Sequence, residues 1–172
     1  MMCVSSSQLT STWGAALLSI VMKEPGRAQN LRLTPLSAIG LGLVVIGSWI
    51  RQKAYKAMGP QFTGQLSIHK NHKLITTGPY RYVRHPSYTG LLAVYPGMLV
   101  WFCSHGSWLR ESGVMETLVG SVFFYSVGLC VGGFVVLGVS RMGREDKELK
   151  RVFGEEWEAW ARRVPYRLVP GL

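Results

Sequence analysis

Long apolar runs alternate along the chain with short, strongly charged blocks. Three runs reach the roughly 17 to 25 mostly apolar residues that a bilayer span needs. They are residues 33–50 (LTPLSAIGLGLVVIGSWI), 87–103 (SYTGLLAVYPGMLVWFC) and 117–140 (TLVGSVFFYSVGLCVGGFVVLGVS), and none contains a charged residue. The pattern predicts three transmembrane helices, with Pro96–Gly97 kinking the second. A fourth stretch, 9–22 (LTSTWGAALLSIVM), is short and partly polar and reads either as a marginal span or as an interfacial helix. Beyond the last run the period changes. Phe153, Trp157, Trp160 and Val164 recur at helical spacing among charges, so 144–163 reads as an amphipathic helix on the membrane surface, ended by Pro165. The expected fold is all-α. It is a single domain over 1–172, a polytopic integral-membrane helix bundle whose cap, 60–86 and 141–172, lies outside the bilayer.

Composition agrees with that class. Of 172 residues 48% are hydrophobic and only 16% charged, with 20 glycines and 6 tryptophans. Glycine lets membrane helices approach closely, and tryptophan gathers at interfaces. Gly128 and Gly132 form a G-x-x-x-G step in the last run, which predicts close helix packing within the hairpin or, secondarily, dimerisation. The three cysteines, Cys3, Cys103 and Cys130, have neither pairing nor metal-ligand spacing. No basic region precedes the first apolar stretch, so a cleaved secretory signal is not expected.

The formal charge of +10 changes the picture only through its placement. A nucleic-acid binder would line one solvated face with cations, whereas here they fall in blocks between spans. Arg51, Lys53, Lys56, Lys70, Lys73, Arg81 and Arg84 precede the second span, and eight more Lys or Arg follow residue 140. The intervening loop 104–113 has only Arg110. Cytoplasmic loops carry such an excess, so 51–86 and the tail belong on the cytoplasmic side and the two later spans form a hairpin. The loop 23–32, with Lys23, Arg27 and Arg32, runs mildly against this assignment.

Candidate chemistry concentrates at the threshold of the second span, in TTGPYRYVRHPSYTG (76–90). A charged flank with an aromatic belt would account for its residue types. The segment is also conformationally controlled. Gly78–Pro79 forces a turn, and Pro86 fixes the helix start while holding His85 extended. Tyr80, Tyr82 and Tyr88 bracket Arg81 and Arg84. Such control suits a binding wall better than an anchor.

HKLITTGPYRYVRHPSYTG (72–90), followed by RMGREDKELKRVFGEEWEAWARRVPYRLVP (141–170), resembles the isoprenylcysteine carboxyl methyltransferase family. That family belongs to a wider group of membrane methyltransferases that includes phospholipid N-methyltransferases. The resemblance implies a pocket for S-adenosylmethionine. His72, Lys73, Leu74 and Ile75 match a cofactor-contacting stretch. Tyr80 matches the tyrosine after the glycine turn, and His85, Pro86, Ser87 and Tyr88 match a second cofactor stretch. Glu145 matches an acidic cofactor contact, and Arg141 the arginine that holds the substrate carboxylate. A glutamine contact of the family has no clear counterpart, Ser67 being the nearest residue.

The activity implied is methylation of the C-terminal carboxylate of a prenylated cysteine, at the endoplasmic reticulum membrane with the site facing the cytoplasm. The partners implied are a prenylated protein C-terminus and membrane lipid. Methylation of a phospholipid or another lipophilic small molecule is the rival on the same scaffold, and a membrane-anchored binding protein the rival outside enzymes. Methyl transfer to an ionised carboxylate needs no general base, which suits a chain without a Ser-His-Asp or Cys-His arrangement. Arg141 and Glu145, four apart on one helix face, form a plain salt bridge on the alternative reading. His69, His72 and His85 invite a metal reading, but no acid lies between Glu24 and Glu111 to complete a ligand set, and none is expected.

Overall fold

The computed structural model describes residues 14, 19–59 and 73–171, and among them it contains helices, turns and no strand. The main elements are α1 (Pro35–Met58), α2 (Pro86–Cys103), the short α3 (Trp108–Glu111), α4 (Leu118–Phe153) and α5 (Glu155–Arg163). Short 3-10 turns cover Pro25–Asn30, Gly78–Arg81 and Val114–Glu116.

Local chemistry sets the helix starts. At α1 the Ser37 N–H donates to Thr34 Oγ1 at 3.2 Å, and the Thr34 N–H donates to Ser37 Oγ at 2.8 Å. This reciprocal pair satisfies two amide donors that the first turn leaves open, and Pro35 stands where an N–H is not needed. Pro86 plays the same part in α2. At α4 the Thr117 hydroxyl oxygen accepts from the Gly120 N–H at 3.0 Å, an N-cap.

Two helix ends depart from the expected boundaries. The apolar run at 33–50 ends at Ile50, but α1 continues through Arg51, Lys53 and Lys56 to Met58. The run at 117–140 belongs to a helix of 36 residues that ends only at Phe153. At about 1.5 Å per residue α4 is roughly 54 Å long, against a hydrocarbon layer of about 30 Å. Residues 144–153, expected in a separate surface helix, therefore prolong the last span. Gly154, at φ 50° and ψ −119°, then breaks the helix in a conformation reserved for glycine, and α5 begins.

α1 and α4 are long and apolar enough to cross a bilayer. Neither is the buried core helix of a water-soluble protein, since 17% of the most apolar stretch is buried in α1 and 0% in α4. Phe123, Leu129 and Phe134 are each at least two-thirds exposed. Water does not tolerate an apolar surface of that extent, so lipid is the solvent of these faces and the chain is an integral-membrane protein. α2 matches the expected 87–103 in extent and carries Pro96 inside it, but it is not among the helices of spanning hydropathy. The expected packing at Gly128 and Gly132 is not formed among the described residues. None of them lies within 4 Å of a side-chain carbon placed at either glycine. The stretch 9–22 and the cap segment 60–72 fall largely or wholly outside the described residues.

The chain divides into two compact units, 1–41 with 98–129 and 42–97 with 130–172. In the first, polar contacts tie the connecting loops. Arg27 pairs with Glu24 at 2.8 Å and Glu116 at 2.5 Å, and Glu111 accepts from the Gly106 N–H at 3.0 Å. In the second, α1 and α2 touch at paired glycines: a Cβ at Gly47 would lie 2.5 Å from the Gly90 carbonyl oxygen, and one at Gly90 2.5 Å from that of Gly47. Gly138 of α4 lies against the Tyr88 ring.

Candidate active site

Within the second unit the segment 73–89, the outer part of α4, and α5 with the irregular tail that follows it are joined side by side. The tail supplies backbone acceptors. Arg84 N–H donates to the Tyr166 carbonyl and His85 N–H to the Arg167 carbonyl, both at 2.9 Å, and the Thr89 hydroxyl donates to the Leu168 carbonyl at 2.6 Å. Trp157, Trp160 and Val164 form a buried apolar cluster, with Leu74, Tyr80, Leu149 and Phe153 packed on it. Trp160 Nε1–H donates to the Tyr80 carbonyl at 3.3 Å. The helical spacing read from the tail sequence thus builds a core under the 73–81 segment.

α4 presents two adjacent acids to His85. Its Nε2 lies 3.0 Å from Asp146 Oδ1, and its Nδ1 lies 3.6 Å from Glu145 Oε2. Glu145 Oε1 in turn accepts from the Tyr88 hydroxyl at 3.0 Å and pairs with Arg141 Nε at 2.8 Å. Arg141, Glu145, His85 and Tyr88, separated by about sixty residues in sequence, form one cluster. The Arg141–Glu145 salt bridge that spacing allows is formed. Ser87 and Pro86 lie at the foot of α2. Ser87 faces α1: its carbonyl accepts from Arg51 at 3.1 Å and its hydroxyl donates to the Tyr55 oxygen at 3.2 Å. Leu74 belongs to the apolar cluster, Ile75 is half-buried and Lys73 is exposed. His72 lies outside the described residues, as do Ser67 and His69.

The electrostatics centre on a residue that the sequence does not single out. Asp146 is buried, with its side chain 6% exposed, and its Oδ2 lies 3.2 Å from Arg84 and 3.3 Å from Arg167. Burial alone would raise its carboxyl, but the His85 hydrogen bond and the charges of His85, Arg84 and Arg167 outweigh burial and hold it below the usual carboxylate range. Burial raises the Tyr80 phenol, with the negative charge of Glu145 adding to the effect, so Tyr80 stays a neutral donor well above physiological pH. Arg84 also lies over the Trp157 ring at 5.8 Å. Arg51 and Tyr55, hydrogen-bonded to each other, were likewise missed. Their signal is weak in sequence, since a helical i,i+4 Arg–Tyr pair past a span also reads as an ordinary flank. Among the described residues no group of three His, Cys, Asp or Glu is placed to hold a metal ion.

The cluster sets a carboxylate, Glu145, beside a guanidinium, Arg141, with the Tyr88 hydroxyl on the carboxylate. Residues 38–127 match the sequence model of the isoprenylcysteine carboxyl methyltransferase family. The match takes in 73–90 and ends before Arg141 and Glu145. The chain is 36% identical over 131 residues to a probable protein-S-isoprenylcysteine O-methyltransferase of Oryza sativa subsp. indica, covering 75% of this chain and 59% of the relative. It is 30% identical over 132 residues to protein-S-isoprenylcysteine O-methyltransferase B of Arabidopsis thaliana (76% and 57%). It is 32% identical over 136 residues to the protein-S-isoprenylcysteine O-methyltransferase of Mus musculus (78% and 41%). The matched region thus spans less than two thirds of the length of these relatives. No solved structure matches the chain. With the family's sequence pattern running through more than half of the chain, this protein belongs to the isoprenylcysteine carboxyl methyltransferase family.

Proposed function

We propose that the chain methylates the C-terminal carboxylate of a prenylated cysteine, with S-adenosylmethionine as the methyl donor. The further proposal is that it does so at the endoplasmic reticulum membrane, with the site on the cytoplasmic side. The observation that carries this reading is the convergence of Arg141, Glu145, His85 and Tyr88 in a family whose named relatives are such methyltransferases.

The residues fit the donor. It is a cation with an amino group, a carboxylate and a purine ring, and when bound it supplies an electrophilic methyl on a sulfonium. Glu145, only 21% exposed at its side chain, offers a carboxylate to the cationic end. Tyr80 and Tyr88 offer aromatic walls. His72, Lys73, Leu74, Ile75, His85, Pro86 and Ser87 would complete the contact, much of it through backbone. Tyr88 and His85 hold the Glu145 carboxylate from two sides, so its orientation is set before any ligand arrives.

Arg141 is assigned to the substrate carboxylate. A guanidinium carries five N–H donors in a fork, so an Nε contact with Glu145 is compatible with a bidentate grip through the terminal nitrogens. The substrate carboxylate is ionised at neutral pH and has no proton to lose, so the chain's task is orientation and exclusion of water. The prenyl chain would come from the lipid that bathes α1 and α4.

Arg141→Lys and Glu145→Gln separate the two assignments. Arg141→Lys keeps the charge and loses the fork, so single-turnover methylation should fall at least tenfold with cofactor affinity within about twofold by calorimetric titration. Glu145→Gln should weaken cofactor binding first. Two silent variants would reduce the pair to a surface salt bridge and remove the proposed site.

A further inference from the structure

The face of α4 turned away from Arg141 and Glu145 carries a separate feature. Ser140, Gly143, Arg144, Lys147 and Lys150 recur three or four apart and share that face. With Asp146, Trp157 and Arg167 they line an open groove of about 380 Å³, a volume within the range of small-molecule sites.

The groove is strongly positive. Arg144, Lys147, Lys150 and Arg167 line it against one acid, Asp146, whose carboxylate is already held by Arg84, His85 and Arg167. Lys150 pairs with Glu158 at 2.9 Å. Arg144 and Lys147 are exposed and form no ion pair or side-chain hydrogen bond with the described residues. Their side chains line the recess. The methyltransferase reading does not use them.

Depth selects the ligand. Ser140 is the last residue of the uncharged run, and Arg144 and Lys147 follow it by four and seven residues, about 6 and 10 Å further along the helix. The headgroup layer is on the order of 5–7 Å thick on each side of the hydrocarbon, so the groove opens at and just above the lipid phosphates. An arginine fork grips a phosphate bidentately, and a lysine adds a point charge beside it. We propose that this groove binds the phosphate of an anionic phospholipid headgroup from the membrane that α4 crosses.

The test uses the full chain in a neutral detergent, titrated with short-chain phosphatidylserine, short-chain phosphatidylcholine and inorganic phosphate. Arg144→Gln/Lys147→Gln removes two groove charges. Arg162→Gln/Arg163→Gln removes the same charge from the exposed end of α5 and serves as the control. The native chain should bind phosphatidylserine at least tenfold more tightly than phosphatidylcholine. The groove variant should weaken that binding about tenfold to thirtyfold, the effect expected of two juxtamembrane cations. The control should change it less than twofold, and phosphate at equal concentration should not displace the lipid. Equal weakening by both double variants would show diffuse attraction and overturn the groove. Absence of headgroup preference, or displacement by phosphate as readily as by lipid, would overturn it too. Cofactor titration of the groove variant should match the native chain, so failure of the methyltransferase reading leaves this result standing, and the reverse.

Discussion

At Asp146 two arginines and His85 share one buried carboxylate, and the contacts tie α4 to the 84–89 segment and to Arg167. Removing one partner of such a group leaves charge buried without compensation, which costs about 3–5 kcal/mol. Asp146→Ala should therefore lower the unfolding free energy by about that amount, measured by denaturant titration in detergent. A loss under about 1 kcal/mol would show that water already screens the group. The pH dependence has a definite sign. The folded carboxyl titrates below its unfolded value, so the native state binds the proton less readily. Its contribution is fully present above the unfolded value of about 3.9 and is lost as pH falls through the lower folded value. Asp146→Asn should flatten that part of the acid limb. Asp146 was not legible in the sequence. It stands among six acids between 145 and 158, a run that reads as a solvated face, and only the folding of Arg167 and His85 onto it reveals its burial. Glu145 next to it was legible through the family pattern alone.

At the scale of elements, apolar runs located every long helix among the described residues but set their ends poorly. The onset of charge at Arg141 marks where lipid ends. Helix formation is indifferent to it, because Arg, Glu, Lys and Leu are good helix formers in water as well. The true stop is Gly154, whose sequence signal was present: a glycine followed at once by Glu155 and Glu156, acids that favour a helix N-terminus. The glycines of the spans also needed the fold to be sorted. A methyl at Gly90 would lie 2.5 Å from the Gly47 carbonyl oxygen, whereas one at Gly132 would touch none of the described residues within 4 Å. Gly90→Ala should thus lower stability by about 1–3 kcal/mol. Gly132→Ala should be neutral, or stabilise by up to about 1 kcal/mol through helix propensity. Steric trapping or denaturant unfolding of both variants checks the contrast. A Gly132→Ala loss as large as that of Gly90→Ala would mean that the exposed G-x-x-x-G face packs against a second copy.

For the whole molecule, the membrane class and the family were both written in the chain. The class lay in uncharged runs bounded by basic blocks, the family in the 72–90 motif. Contacts of Asp146, Arg84 and the indole cluster were not, since they join segments far apart in sequence. Orientation rests on the basic blocks. They predict Gly171 on the cytoplasmic side and Ser107 across the membrane from it. Once Cys3, Cys103 and Cys130 are replaced, single cysteines at Ser107 and Gly171 should label from opposite sides of sealed vesicles. Labelling of both from one side would contradict the assignment of 87–103 and 117–140 as a hairpin of spans. The central claim is the transfer itself. Its most direct test gives the purified chain methyl-labelled S-adenosylmethionine together with a farnesylated cysteine peptide and phosphatidylethanolamine. The account predicts label on the peptide in a form that base releases as methanol, as a methyl ester does, and none on the lipid. Base-stable label on the phosphatidylethanolamine, or cofactor binding with no label on either acceptor, would contradict it.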